Sequence, residues 1–139
     1  MSDVQPMTRQ QLAELIADRD NGEIEKLVSD LGPDQVLDQV FDQMGTALTD
    51  KAASQSAVVQ WDITLPDTTT RTYTTRIENG SLTSAKEPAQ SPRVTLALGL
   101  ADFMRLVAGK LDGVQAFMAG RLKLKGDIMF AQSLQSWFA

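Results

Sequence analysis

The stretch Phe117-Met118-Ala119-Gly120-Arg121-Leu122-Lys123-Leu124-Lys125-Gly126-Asp127 decides how the rest of the chain is read. Leu122 and Leu124 alternate with Arg121, Lys123 and Lys125, which is the period of a strand with one apolar and one polar face. A glycine stands at each end. Upstream, Leu100 to Leu111 reads as a helix, with Phe103, Met104, Leu106, Val107 and Leu111 on one side. Asp102 near its start complements the helix dipole. Val114 to Met118 predicts one further turn. Downstream, Asp127 is placed to cap a last helix carrying Ile128, Ala131, Leu134, Trp137 and Phe138. A two-faced strand between two apolar helices suits the lining of an apolar hollow better than it suits a catalytic centre.

Moving toward the N-terminus, the period stays at two. Arg93 to Leu98 predicts a strand with Val94, Leu96 and Leu98 inward, closed by Gly99. Val59, Trp61, Ile63 and Leu65 share a face, and Val58, Gln60, Asp62 and Thr64 share the other. Thr70 to Glu78 is rich in residues that favour pleated, half-buried surfaces, with Arg71, Tyr73, Thr75 and Ile77 on one side. Asn79-Gly80 is a strong hairpin signal leading to a return strand, Ser81 to Lys86. Before residue 56 the period is helical. Thr8 and Gln11 form a capping box for a first helix with Leu12, Leu15 and Ile16. Asp20-Asn21-Gly22 breaks it. A second helix carries Ile24, Leu27, Val28 and Leu31. Pro33 opens a third, with Val36, Leu37, Val40, Phe41, Met44 and Leu48 on one face and Asp34, Asp38 and Asp42 opposite. Segregated helices and hairpin-joined strands give an α+β fold.

Composition narrows the chemistry. The 139 residues fit one domain. There is no His and no Cys, which removes thiol nucleophiles, His-dependent triads and the ordinary transition-metal ligands. No catalytic residue, metal or cofactor is expected. Nothing approaches the ~18 consecutive apolar residues of a membrane span, and Met1 to Pro6 lack the order of a signal peptide. Net charge is −5, which disfavours nucleic acid as a partner. Residues 1–60 hold eleven acids and four bases, whereas residues 61–139 hold seven acids and nine bases. Solvated faces explain this asymmetry. So does a cationic rim of Arg93, Lys110, Arg121, Lys123 and Lys125 facing an anionic headgroup. Asp34, Asp38 and Asp42 read as a solvated helix face rather than as acid/base pairs. The scattered glycines assemble no phosphate-binding loop; Asp112-Gly113 reads as a turn. Met44, Phe103, Met104, Phe117, Met118, Met129, Phe130, Trp137 and Phe138 cluster in the helices. Core packing accounts for them, as does an adaptable apolar surface, for which Met is well suited.

Residues ~33 to 139 resemble the sterol carrier protein type 2 family. Val94-Thr95-Leu96-Ala97-Leu98, Asp102-Phe103, Leu106-Val107-Ala108-Gly109-Lys110-Leu111 and Val114 through Asp127 follow that family's pattern. Arg121 replaces a lysine and Leu124 an isoleucine. Ala119 is small where relatives often carry a polar residue. The resemblance implies a five-stranded, mainly antiparallel sheet covered on one side by helices. It also implies an apolar tunnel between them that holds a fatty acid, fatty acyl-CoA or sterol-like lipid, without catalysis. Residues 33–139 would be the lipid-binding domain and residues 1–32 a helical extension. The C-terminal Ser136-Trp137-Phe138-Ala139 is not a peroxisomal address, in keeping with a bacterial-type, free-standing, cytoplasmic protein. The expected wall residues are Phe41, Met44, Leu48, Trp61, Phe103, Val107, Phe117, Met118, Leu122, Leu124, Ile128 and Leu134. Lys110, Arg121 and Lys123 are expected at a headgroup, and Trp137-Phe138 at the tunnel mouth. The expected partner is the lipid or acyl ligand, with transient membrane or enzyme contact, the protein being a monomer or weak dimer. A protein-interaction or dimerisation module without ligand is the alternative. An isomerase or cyclase drawing on Asp62, Tyr73 or Glu78 is a third reading.

Overall fold

The computed structural model describes residues 14, 16–44 and 55–136. The expectations for Thr8 to Leu15 (apart from Glu14), for Leu48 and for Trp137-Phe138 lie outside them. The elements run α1 (Asn21–Leu31), α2 (Pro33–Met44), β1 (Ser56–Thr64), β2 (Thr70–Glu78), β3 (Ser81–Ala85), β4 (Val94–Gly99), α3 (Leu100–Val107), α4 (Gly113–Met118), β5 (Leu122–Gly126) and α5 (Ile128–Ser136).

Asp20 is more than a breaker. Its carboxylate accepts a hydrogen bond from the Glu23 N–H at 2.8 Å, and the Glu23 carboxylate accepts one from the Asp20 N–H at 3.3 Å. This reciprocal box starts α1. The Asp112 carboxylate accepts from the N–H groups of Val114 and Gln115, so Asp112-Gly113 opens a helix rather than serving only as a turn. The helix expected from Leu100 to Leu111 stops at Val107. Gly109 takes φ +76, the Lys110 N–H reaches the Arg105 carbonyl, and the Gly109 N–H reaches that of Leu106. These two bonds make a Schellman motif, which satisfies the last carbonyls once glycine supplies the left-handed turn.

The five strands form one sheet in the order β3-β2-β1-β4-β5. Every neighbouring pair is antiparallel except β1 with β4, which run parallel with Val59 opposite Val94. Asn79 and Gly80 both take positive φ, as the hairpin signal requires. One face of the sheet buries Val59, Trp61, Ile63, Tyr73, Ile77, Val94, Leu96, Leu98 and Leu122. Helices cover this face: Phe41 of α2 and Phe103 of α3 pack on Trp61, and α5 lies against β4 and β5. Ile24 and Val28 of α1 are buried in the same core, with α1 against α2 and α3. The connection from β3 to β4 crosses the other face. Thr74 and Gln60, opposite each other in the β1–β2 ladder, hold it down. The Thr74 hydroxyl donates to the Glu87 carbonyl at 2.6 Å, and the Gln60 side-chain oxygen accepts from the Ala89 N–H at 3.0 Å.

Candidate lipid-binding site

The expected wall residues separate into three environments. Phe41, Met44, Trp61 and Phe103 are buried under α2 and α3. Phe41 stacks on Tyr73 at 4.2 Å and on Phe103 at 5.4 Å between ring centroids. Trp61 meets Phe41 edge-on at 6.0 Å and Phe103 at 5.8 Å, a mutual arrangement that suits aromatic quadrupoles. Around β5, Leu122 and Leu134 are buried, and Val107 and Leu124 are partly buried against the core. Phe117, Met118 and Ile128 are exposed, by 37%, 80% and 40%. They lie on α4 and α5, which touch. Val114 and Met129, exposed by 39% and 76%, extend this patch. Both were visible in the sequence, but helical spacing alone does not tell an exposed stripe from a buried one.

The interior makes few polar demands. Thr75 is the buried polar residue among those described. Its hydroxyl accepts from the Trp61 indole N–H at 3.1 Å. Among the described residues no buried side-chain nitrogen or oxygen lacks a partner. The polar groups stand at the margins. The Tyr73 hydroxyl donates to Asp38 at 2.6 Å, and its ionisation is pushed up by burial first and then by that carboxylate. The Arg71 guanidinium donates to Asp34 at 2.7 Å, and Lys86 lies 3.3 Å from Asp34 and 3.5 Å from Asp38. The hydrogen bond from Arg71 is the main reason the Asp34 carboxyl sits below its usual range. The acidic face of α2 is thus an ionic seam to β2 and to Lys86 just past β3, not only a solvated surface.

The catalytic alternative finds no common site. Asp62 lies on the sheet face away from the helices, because Trp61 and Ile63 take the inward positions. There it accepts hydrogen bonds from Gln60 and Thr72 at 3.1 Å. Glu78 is exposed beside Arg76 at 3.8 Å. Only Tyr73 of the three faces inward. Among the described residues no group of acids could hold a metal ion.

The expected cationic rim divides as well. Arg121 hydrogen-bonds Asp102, and Arg105 lies 3.5 Å from the same carboxylate. Arg105 also donates to Asn21 and to the Arg19 carbonyl, tying α3 to the start of α1. Arg93 pairs with Asp127 at 3.3 Å, and its guanidinium covers the Phe130 ring at 4.0 Å. Asp127 caps α5 through the Phe130 N–H, which, ahead of Arg93, holds its carboxyl below the usual range. Among the described residues, Lys110, Lys123 and Lys125 have no carboxylate within ion-pair distance.

Known proteins share this architecture. Residues 37–139 match the family model of the SCP-2 sterol transfer family. The peroxisomal multifunctional enzyme type 2 of Mus musculus is 38% identical over 101 residues, covering 69% of this chain and 14% of that protein. The chain therefore spans about a seventh of the length of that curated relative. Two solved structures show the same fold. The stereoselective inverting sec-alkylsulfatase Pisa1 from Pseudomonas sp. superposes with a TM-score of 0.64 at 24% identity, over 73% of this chain and 16% of that one. Palmitated SCP2L2 from Aedes aegypti gives 0.55 at 19% identity, over 72% and 87%. With its sheet order, its helical cover and a family match running from within α2 to the C-terminus, the chain belongs to the SCP-2 sterol transfer family.

Proposed function

We propose that this protein binds and transfers an apolar ligand (a fatty acid, fatty acyl-CoA or sterol-like lipid) in a tunnel between sheet and helices, without catalysing a reaction. The family match over residues 37–139 carries the reading. The palmitated state named for the Aedes aegypti relative points the same way. In this reading residues 33–139 are the lipid-binding domain and residues 1–32 an extension of it, in a cytoplasmic protein. Leu122, Leu124, Val107, Leu134, Met44, Trp61, Phe103 and Phe41 form the wall, and Phe117, Met118 and Ile128 stand at its open end. An apolar wall with its few polar atoms already paired favours hydrocarbon, since each methylene leaving water contributes ~0.8 kcal/mol. Directed chemistry is not needed for tight binding.

Displacement of a fluorescent fatty acid tests the proposal. Unlabelled fatty acid, acyl-CoA or cholesterol should displace it at micromolar concentration; failure of all of them overturns the reading. One observation favours a second reading. The mouse relative is named as an enzyme, and the chain matches only a small part of it. An accessory module that contacts an enzyme or a second copy, without ligand, would fit. Light scattering across concentration separates the two, because a dimer indifferent to added lipid favours the module.

A further inference from the structure

The sheet ends on β3 and on β5. Each pairs on one side only, and among the described residues the outward backbone groups of both strands meet no other backbone partner. Such an edge can take up a further strand. The two edges carry different side chains. β3, Ser81-Leu82-Thr83-Ser84-Ala85, is uncharged, whereas β5 alternates Leu122, Lys123, Leu124 and Lys125. The ladder sets Lys123 beside Ala97 and Lys125 beside Thr95, with Asp62 and Gln60 of β1 beyond them. Both lysines thus stand exposed on the sheet face opposite the helices, next to small uncharged neighbours. Among the described residues no carboxylate lies within ion-pair distance of either. Asp62 is two strands from Lys123, roughly 10 Å at the usual strand spacing, and is held by Gln60 and Thr72. Leu124 points the other way and is partly buried against the core.

We propose that the free edge of β5 takes up an extended acidic segment of another protein as a further strand. Main-chain hydrogen bonds supply the attachment, and the period of the side chains supplies the choice. In an added strand alternate residues share a face. Acids at every second position then meet Lys123 and Lys125, while the residues between them turn toward the side of Leu124. Charge decides against a second copy of this chain. Antiparallel self-pairing centred on Leu124 would set Lys123 of one copy opposite Lys125 of the other, and like charges directly opposite destabilise a ladder. A strand without charge would find β3 no worse an edge, so the lysines make β5 the selective one. The inference does not depend on what the interior binds.

Titration of the full chain with the end-capped peptide Glu-Val-Glu-Val-Glu, followed by backbone NMR and amide hydrogen exchange, tests it. The peptide should bind at least about tenfold more tightly than Lys-Val-Lys-Val-Lys. It should slow exchange at the outward amides of β5 and leave those of β3 unchanged. Salt at about 0.5 M should weaken it several-fold. Lys123→Glu combined with Lys125→Glu should reverse the preference between the two peptides. Both positions are exposed, so this variant should keep the urea midpoint of the wild type. N-methylation of one alternate set of peptide amides, Glu or Val, should weaken binding about tenfold, because one set faces the strand. No binding of the acidic peptide at about millimolar concentration, equal binding of the basic one, or protection at β3 in place of β5 would overturn the proposal. Full binding by both methylated peptides would do the same, since charge alone would then hold them. So would a dimer in light scattering that the acidic peptide dissolves, because a second copy would then occupy the edge.

Discussion

Gly126 shows what one backbone position can demand. It takes φ +106, and a Cβ placed there would lie 2.7 Å from the Arg93 carbonyl oxygen. That oxygen also accepts the Asp127 N–H at 3.0 Å, so it has little freedom to retreat. Gly120 takes φ +78 with open space around it. It ends α4 as Gly109 ends α3, through the Gly120 N–H to Phe117 and the Arg121 N–H to Ala116. Gly126→Ala should therefore cost more than Gly120→Ala. The latter should cost about 1 kcal/mol, and the former should exceed the ~1–3 kcal/mol of conformational strain alone. Urea unfolding of both variants decides this, and equal losses would contradict the close approach. The sequence shows a glycine at both places and is silent on which one faces a carbonyl, because the Arg93 backbone comes from a distant strand. Asp34 supports a second expectation. Its carboxyl is held below the usual carboxylate range mainly by the hydrogen bond from Arg71. A depressed folded value means stabilisation that is present above the ordinary range and lost as pH falls through the folded value. Asp34→Asn should thus be less stable than the wild type at pH 6, and the gap should narrow and close as acidification protonates the folded-state carboxyl. The pair is half-exposed, so the gap should not exceed about 1 kcal/mol. A gap independent of pH would rule out the ion pair as its source.

Among the elements, α2 has two faces with different jobs. Its acids reach Arg71 on β2 and Lys86 just past β3, while Phe41 anchors an aromatic group with Trp61, Tyr73 and Phe103. Phe41→Ala should destabilise by about 3–5 kcal/mol, as deletion of a buried ring commonly does. Met118→Ala, on an exposed position of α4, should change stability by less than about 0.5 kcal/mol. Guanidinium titrations of the two variants check the contrast; similar losses would mean that Met118 belongs to the core. Strand limits were legible because alternation over Val59, Trp61 and Ile63, and again over Val94, Leu96 and Leu98, admits one inward face. The end of α3 was not read correctly. Leu111 keeps the helical period with Val107, and the period hid the Gly109 turn that breaks the helix. The ionic seam of α2 was also missed, since Asp34 and Asp38 resemble any polar stripe until Arg71 and Lys86 are brought opposite.

For the molecule as a whole, the carrier proposal makes a thermodynamic demand. A ligand that binds only the folded state stabilises it by about 2.7 kcal/mol at a hundredfold excess over Kd. A domain of this size should then melt roughly 5–10 °C higher. Fatty acid that leaves the melting temperature unchanged at that excess would argue against binding in the interior. The fold class and the apolar inner face were readable from period and turn chemistry. The strand order was not, because pairing between β1 and β4 joins segments with no local signal for each other. That parallel seam bears on how the chain assembles. The meander β1-β2-β3 closes through short turns and can be complete once Ala85 has left the ribosome. The seam must wait for Val94 and the residues after it, and until then one long margin of β1 has no neighbour. Nascent chains halted between Ala85 and Val94 should accordingly be the ones most prone to clump and most in need of a chaperone.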